Sequence, residues 1–177
     1  MIKNIFFSLS ILGFVFGCKK NELSKYDNSL YVIENIKENF QRINTISSFD
    51  SINTINLYES AEGGVLKKFY ANNKLEKMVE IHFGESGKLI NEYYLFNNQL
   101  SFYFSQNHIY NRPIYYDEEK MIEFNDTVFF DINKSIVKET RSYFYENKRV
   151  LQKSDDSSED SSETDILNHF NKLKEKK

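Results

Sequence analysis

Three histidines, one cysteine and a scatter of carboxylates are the side chains of this sequence that could hold a metal or move a proton. His82, His108 and His169 lie too far apart for any two to share a helical turn, and no His-Glu-x-x-His occurs. Zinc draws three or four ligands together, and this spacing supplies no local pair. The acids Asp155, Asp156, Glu159 and Asp160 cluster, but without the spacing and central glycine that fold a loop around calcium. They read as a solvated spacer. Gly84-Glu85-Ser86-Gly87 is one residue short of the elbow that presents a serine nucleophile, and reads as a turn. Glu118-Glu119 is a charge run near a loop. No catalytic residue, metal ligand or cofactor is assigned, and the enzymatic reading is the weaker one.

One segment concentrates recognition chemistry instead. Tyr110-Asn111-Arg112-Pro113-Ile114-Tyr115-Tyr116 sets an arginine among tyrosines, next to the only proline. A guanidinium is attracted to ring faces, and Tyr and Arg are enriched where proteins meet. Tyr110, Arg112, Tyr115 and Tyr116 are the candidate binding residues. The plain alternative is a loop whose tyrosines pack beneath it and whose arginine faces solvent.

Cys18 carries a different chemistry. Lys3 precedes an almost unbroken apolar run from Ile5 to Phe16, and Val15-Phe16-Gly17-Cys18 then gives way to Lys19-Lys20-Asn21-Glu22. A membrane-spanning helix needs about 20 apolar residues, so the run suits the core of a signal peptide. As the single cysteine, Cys18 can form no disulfide within the chain. The segment resembles the lipobox of bacterial lipoproteins, with Val15 and Gly17 in the aliphatic and small positions; Phe16 departs, that position being usually small. The resemblance implies cleavage before Cys18, acylation of its thiol and its new amine, and a membrane anchor worth about 0.8 kcal/mol per buried methylene. It also implies the outer membrane facing the periplasm, because Lys19 stands where some bacteria place a retention aspartate and no acidic export run follows.

Removing residues 1–17 takes away Lys3 and no acid, so the formal charge moves from −3 to about −4. A mildly acidic chain with no clustered basic face is a poor partner for nucleic acid. The remaining length is that of one domain with a real core. The apolar set of the whole chain is dominated by 12 Tyr and 16 Phe with no Trp, which favours strands.

Residues 18–27 read as a polar tether. Leu30, Ile33, Ile36, Phe40 and Ile43 then recur at helical spacing, predicting an amphipathic helix of about four turns capped by Asn28 or Ser29. From Ile52 to Gln152 the period becomes two. Turns fall at 59–64, at Asn72-Asn73, at 84–87 and at Asn97-Asn98. Leu75, Lys77, Val79, Ile81 and Phe83 are expected on one side of a strand, with Glu76, Met78, Glu80 and His82 on its polar side. His108 is expected in a loop.

The strands also echo one another. Phe69-Tyr70-Ala71-Asn72-Asn73-Lys74-Leu75 matches Tyr94-Leu95-Phe96-Asn97-Asn98-Gln99-Leu100. Phe144-Tyr145-Glu146-Asn147-Lys148-Arg149-Val150 follows with a gap one residue shorter, and a degenerate copy is expected near Phe124-Asn125-Asp126-Thr127-Val128. These hairpins, with Glu62-Gly63-Gly64 before them, resemble those of bacterial proteins with MORN-like repeats, some of them antitoxins, and of Bacteroidota lipoproteins. The regular glycines of true MORN repeats are missing. The resemblance implies a β-hairpin architecture and carries no catalytic residue. Asp50-Ser51-Ile52 and Asp126-Thr127-Val128 resemble the O-glycosylation motif of Bacteroidota exported proteins, which implies Ser51 and Thr127 as acceptors.

Residues 154–165 hold six acids and no apolar side chain, the composition of a disordered linker. Ile166, Leu167, Phe170 and Leu173 then predict a short amphipathic helix over 166–177, with Ser162 and Asp165 as a capping pair. The expected fold is α+β: an N-terminal helix packed on an antiparallel, aromatic-rich sheet of six to eight strands spanning 28–153, and a short C-terminal helix. The expected function is that of a lipid-anchored envelope protein that binds a protein or envelope polymer. The alternatives are an immunity or inhibitor lipoprotein against a toxin or lytic enzyme, an enzyme acting on envelope glycans or lipids, and a structural spacer.

Overall fold

A computed structural model of the chain describes residues 20–58, 62–155 and 162–177. Helix α1 (Lys20–Asn44) is followed by strands β1 (Ser51–Leu57), β2 (Gly64–Ala71), β3 (Lys74–Gly84), β4 (Gly87–Phe96) and β5 (Gln99–Ile109). A long connection holds the short helix α2 (Glu118–Glu123) and a single 3-10 turn, Ile132–Lys134. Strands β6 (Ile136–Tyr145) and β7 (Lys148–Ser154) and helix α3 (Glu163–Glu175) complete the order. The seven strands form one antiparallel sheet in sequence order, each paired with its chain neighbours. The fold is α+β, as the sequence predicts. Cys18 and the residues before it lie outside the described residues. Helix α1 begins at Lys20, so Asn28 stands inside it rather than at its start.

Three hairpins share one construction. Asn72-Asn73, Asn97-Asn98 and Glu146-Asn147 all have positive φ, between 49° and 64°. Two such residues in succession mark the type I′ turn, whose twist suits paired strands. Asn tolerates this left-handed region because its short amide bonds locally. Each turn is followed by a bulge. Phe69 pairs with Lys77 but Tyr70 with Leu75, leaving Glu76 extra; Ser101 and Val150 are the extra residues of the other two. The third copy therefore aligns from Tyr143 with no gap, and Glu146 occupies the first turn position. The hairpin expected around Asn125 is absent: Asn125 has φ 51° but follows Phe124, the C-cap of α2, so its left-handed backbone ends a helix.

The bulges decide which face each side chain takes. After Glu76, the residues Met78, Glu80 and His82 point toward α3, and Leu75 joins them in the core under that helix. The expected polar side of β3 is thus a buried one, with Met78 and Glu80 both 0% exposed, whereas Phe83 on the other side is exposed. His108 lies within β5, not in a loop.

The two helices cover opposite faces of the sheet. Under α1, Ile36 and Ile43 pack with Tyr94, Phe102 and Tyr143, joined by Phe40. Phe40 meets Phe102 edge-on at 5.2 Å, a favoured ring geometry. Under α3, Ile166, Phe170 and Leu173 pack on Leu57, Leu66, Met78, Tyr93, Leu95 and Phe144. At about 25 cal/mol per Å2 of apolar surface, these two stripes stabilise the sheet on both sides. Polar keys fix each helix. Asn39 Nδ2 donates to Leu95 O at 3.0 Å and to Ser101 Oγ at 3.2 Å, and Arg42, one turn on, pairs with Glu76 at 2.5 Å. The bulges that set Glu76 and Ser101 thus supply the partners of α1. Gly87 serves close approach, since a Cβ there would lie 2.2 Å from His108 O.

Candidate functional site

The segment rich in tyrosine and arginine begins the connection from β5 to β6. Tyr110 N–H donates to Ser86 O and Ile114 N–H to Glu85 O, each at 2.9 Å, tying it beneath the β3–β4 turn. Asn111 clamps the returning part of the connection: its Nδ2 donates to Phe129 O at 2.9 Å, and Asp131 N–H donates to its Oδ1 at 3.0 Å. Arg112 Nη2 meets Asp126 Oδ2 at 2.6 Å, and Tyr116 OH donates to the same oxygen at 3.2 Å. The guanidinium also lies 5.5 Å from the Tyr116 ring centroid. Asp126 is held below the usual carboxylate range, first by the Thr127 N–H and then by Arg112 and Tyr116. The Tyr116 hydroxyl is pushed up by burial and by the Asp126 charge.

Arg112 and Tyr116 thus brace the connection from within, and Tyr110 packs edge-on against Phe130 at 5.4 Å. Of the four residues singled out by sequence, Tyr115 is the one turned outward, 51% exposed, with Lys120 over its ring. It is joined by residues that sequence reasoning passed over. Ile114, Ile122, Phe124, Phe129 and Ile132 are all exposed, and α2 buries none of its residues. A helix normally hides its apolar side chains at home. The available signal was the setting of single apolar residues and short apolar runs, such as Met121-Ile122, Phe124 and Val128-Phe129-Phe130, among acids and asparagines without a full helical stripe.

The histidines are placed differently from what their spacing suggests. His169 on α3 and His82 on β3 both reach Glu80, His169 Nε2 at 2.9 Å and His82 Nε2 at 3.0 Å. Asn91 Nδ2 and Tyr93 OH also donate to Glu80, at 3.3 and 3.4 Å. Burial pushes the Glu80 carboxyl up, but the hydrogen bond and charge of His169, with His82 and Asn91, outweigh it and hold it below its ordinary value. Tyr93 is pushed well up, by burial first and then by Tyr103 and Glu80. Glu80 is 0% exposed and its bonds all run to the sheet and α3, so the arrangement works as a polar staple for that helix. His108 stands apart on β5, its imidazole pulled down by burial and then by Lys88. Among the described residues, no group of His, Asp and Glu is arranged to hold a metal ion.

A cleft of about 740 Å3 opens between α1 and two of the hairpin turns, with Tyr31, Phe96 and Tyr145 along it. Ser51 is exposed at the start of β1, and Thr127 is exposed beside Asp126. No helix among the described residues is long and apolar enough to cross a membrane. Compared with family models, curated proteins and solved structures, the chain matches none.

Proposed function

We propose that this chain is an envelope lipoprotein, anchored through Cys18, that acts as a non-enzymatic binding module. The observation that carries the binding half is the β5–β6 connection. It is braced internally by Arg112, Asp126, Tyr116 and Asn111, yet turns Ile114, Tyr115, Ile122, Phe124, Phe129 and Ile132 to solvent. A floppy loop could fold such side chains inward. A braced one that holds them outward loses stability unless another surface covers them, and exposed apolar groups rimmed by polar ones mark interaction sites. The anchor half is supported by the apolar run that ends at Val15-Phe16-Gly17-Cys18.

Two measurements on the native cell test the reading. Labelled palmitate should enter the wild-type protein and be absent from Cys18→Ser. A photocrosslinking residue at Phe124 or Ile122 should give one discrete adduct, with none from Lys148 at a hairpin turn. Adducts of equal yield from all three positions would remove the binding surface; unlabelled wild-type protein would remove the anchor.

A further inference from the structure

The braced connection carries charge as well as apolar side chains. Residues 110–135 hold six acids against three bases. Several of these charges are answered locally. Arg112 pairs with Asp126 at 2.6 Å, and Lys120 lies 5.5 Å from the Tyr115 ring centroid. Asp117 and Asp131 accept from the backbone N–H groups of Lys120 and Asn133. Glu118, Glu119 and Glu123 of α2 remain. All three are exposed, and among the described residues none of them joins an ion pair.

These carboxylates surround an apolar side chain. Ile122 follows Glu118 by four residues and Glu119 by three, the spacings that share one helix face, and Glu123 is its neighbour. Ile122 is 69% exposed. Phe124 comes next, its ring 6.2 Å from that of Tyr116, which joins the end of α2 to the tyrosine segment. Glu85, bonded through its carbonyl to Ile114 N–H, is a further exposed acid. The helix dipole accounts for Glu118 and Glu119, which stand in the first turn, where negative charge is favoured. It opposes Glu123, the last residue of α2, where the carbonyl end favours a cation. A carboxylate in that place destabilises the free helix, and a partner's cation beside it removes the cost.

We propose that the connection takes a cationic amphipathic polypeptide segment, one that lays apolar side chains against Tyr115, Ile122 and Phe124 and sets lysines or arginines against Glu118, Glu119 and Glu123. The inference rests on the binding role given above to this surface, and names the chemistry of its partner. Apolar contact supplies affinity and the flanking charge selects. A second copy of this chain is the poorer occupant, since it would set the same carboxylates face to face. A membrane surface is poorer too, because anionic headgroups attract bases and repel acids.

The test uses the full chain in zwitterionic nanodiscs at low ionic strength, with empty discs as the blank and three fluorescent probes. One is a short helical peptide of Leu and Lys, one has Glu in place of every Lys, and one is oligolysine. Binding is read by anisotropy and the site by amide exchange over residues 114–124. The Leu/Lys peptide should bind about tenfold more tightly than either of the others, and more weakly as salt rises. It should also slow exchange over 114–124. Glu118→Gln, Glu119→Gln and Glu123→Gln together should remove most of the preference for Lys over Glu. Ile122→Ser with Phe124→Ser should bring the Leu/Lys peptide down to the level of oligolysine. All five side chains are exposed, so both variants leave the core as it is. Equal binding of the Leu/Lys and Leu/Glu peptides, a preference left intact in the glutamine variant, protection elsewhere, or no binding would overturn the proposal. So would protection of 114–124 by anionic discs alone, which would assign the surface to lipid, or protection that grows with protein concentration alone, which would assign it to a second copy. A discrete crosslink from Phe124 to another protein beside such a failure would keep the binding surface and remove only its cationic partner.

Discussion

Glu80 on β3 and His169 on α3 stand 89 positions apart in sequence, yet the imidazole Nε2 lies 2.9 Å from the carboxylate. Removing the imidazole leaves a carboxylate that water cannot reach with fewer donors. His169→Ala is expected to lower stability by about 1–3 kcal/mol, read as an earlier urea midpoint at neutral pH. A midpoint equal to wild type would show that His82, Asn91 and Tyr93 suffice to hold the charge.

The same carboxyl gives the stability a pH dependence of known sign. Its folded value lies below its ordinary 4.5. Such a group stabilises the fold above its unfolded value, and that contribution drains away as pH falls through the folded one. Stability should therefore decline below about pH 4.5, and Glu80→Gln should flatten that part of the profile while leaving the rest in place. The measurement is the urea midpoint followed from neutral pH into acid.

Lys68 is the sheet's contribution to the end of α3, satisfying carbonyls that a helix leaves orphaned. Lys68→Met keeps the buried stem and removes the ammonium, so amide exchange in the last turns of α3 should quicken while β3 to β5 stay protected. Uniform acceleration would mean that α3 and the sheet open together.

Glu146 occupies a turn position where its two counterparts are Asn72 and Asn97, with φ 49°. The left-handed region costs an ordinary L-residue roughly 1–2 kcal/mol, and Asn pays less of it. Glu146→Asn should raise stability by about 0.5–1 kcal/mol, while Asn97→Ala should lower it by a similar amount. Calorimetry on the pair decides whether all three hairpins share one turn type in solution.

Asn39 and Ser101 lock α1 to the β4–β5 bulge at 3.2 Å. In a double-mutant cycle of Asn39→Ala and Ser101→Ala, the coupling should fall within about 0.5–3 kcal/mol. Coupling near zero would leave the bond from Asn39 to Leu95 O as all that Asn39 adds to the polar key, beside the Arg42–Glu76 pair.

What could be read from sequence follows the range of the physics involved. Asn72-Asn73 and Asn97-Asn98 report their turns because the backbone requirement is local. The stripe from Ile33 to Ile43 reports α1 for the same reason. The buried side of β3 could not be read, because the bulge at Glu76 reverses the alternation and the imidazole that makes Glu80 tolerable arrives only with α3. The connection was misread at Asn125, since positive φ serves a hairpin and a helix end equally. Arg112 was found as a notable residue, but its partner Asp126 lies 14 positions on, so its bracing role was hidden.

The strictly sequential strand order has a consequence for the order of folding. Each strand meets the one before it, so contact order within the sheet is low and hairpins can zip up as the chain lengthens. The contacts that close long loops belong to the helices, above all to α3, which returns from β7 to Lys68 and Glu80. Until that helix arrives, Leu66, Met78, Tyr93 and Phe144 form an open apolar face with a charged carboxylate in its midst. The half-made protein is therefore sticky on one side, and the arrival of α3 converts a self-assembled ribbon into a protected native state.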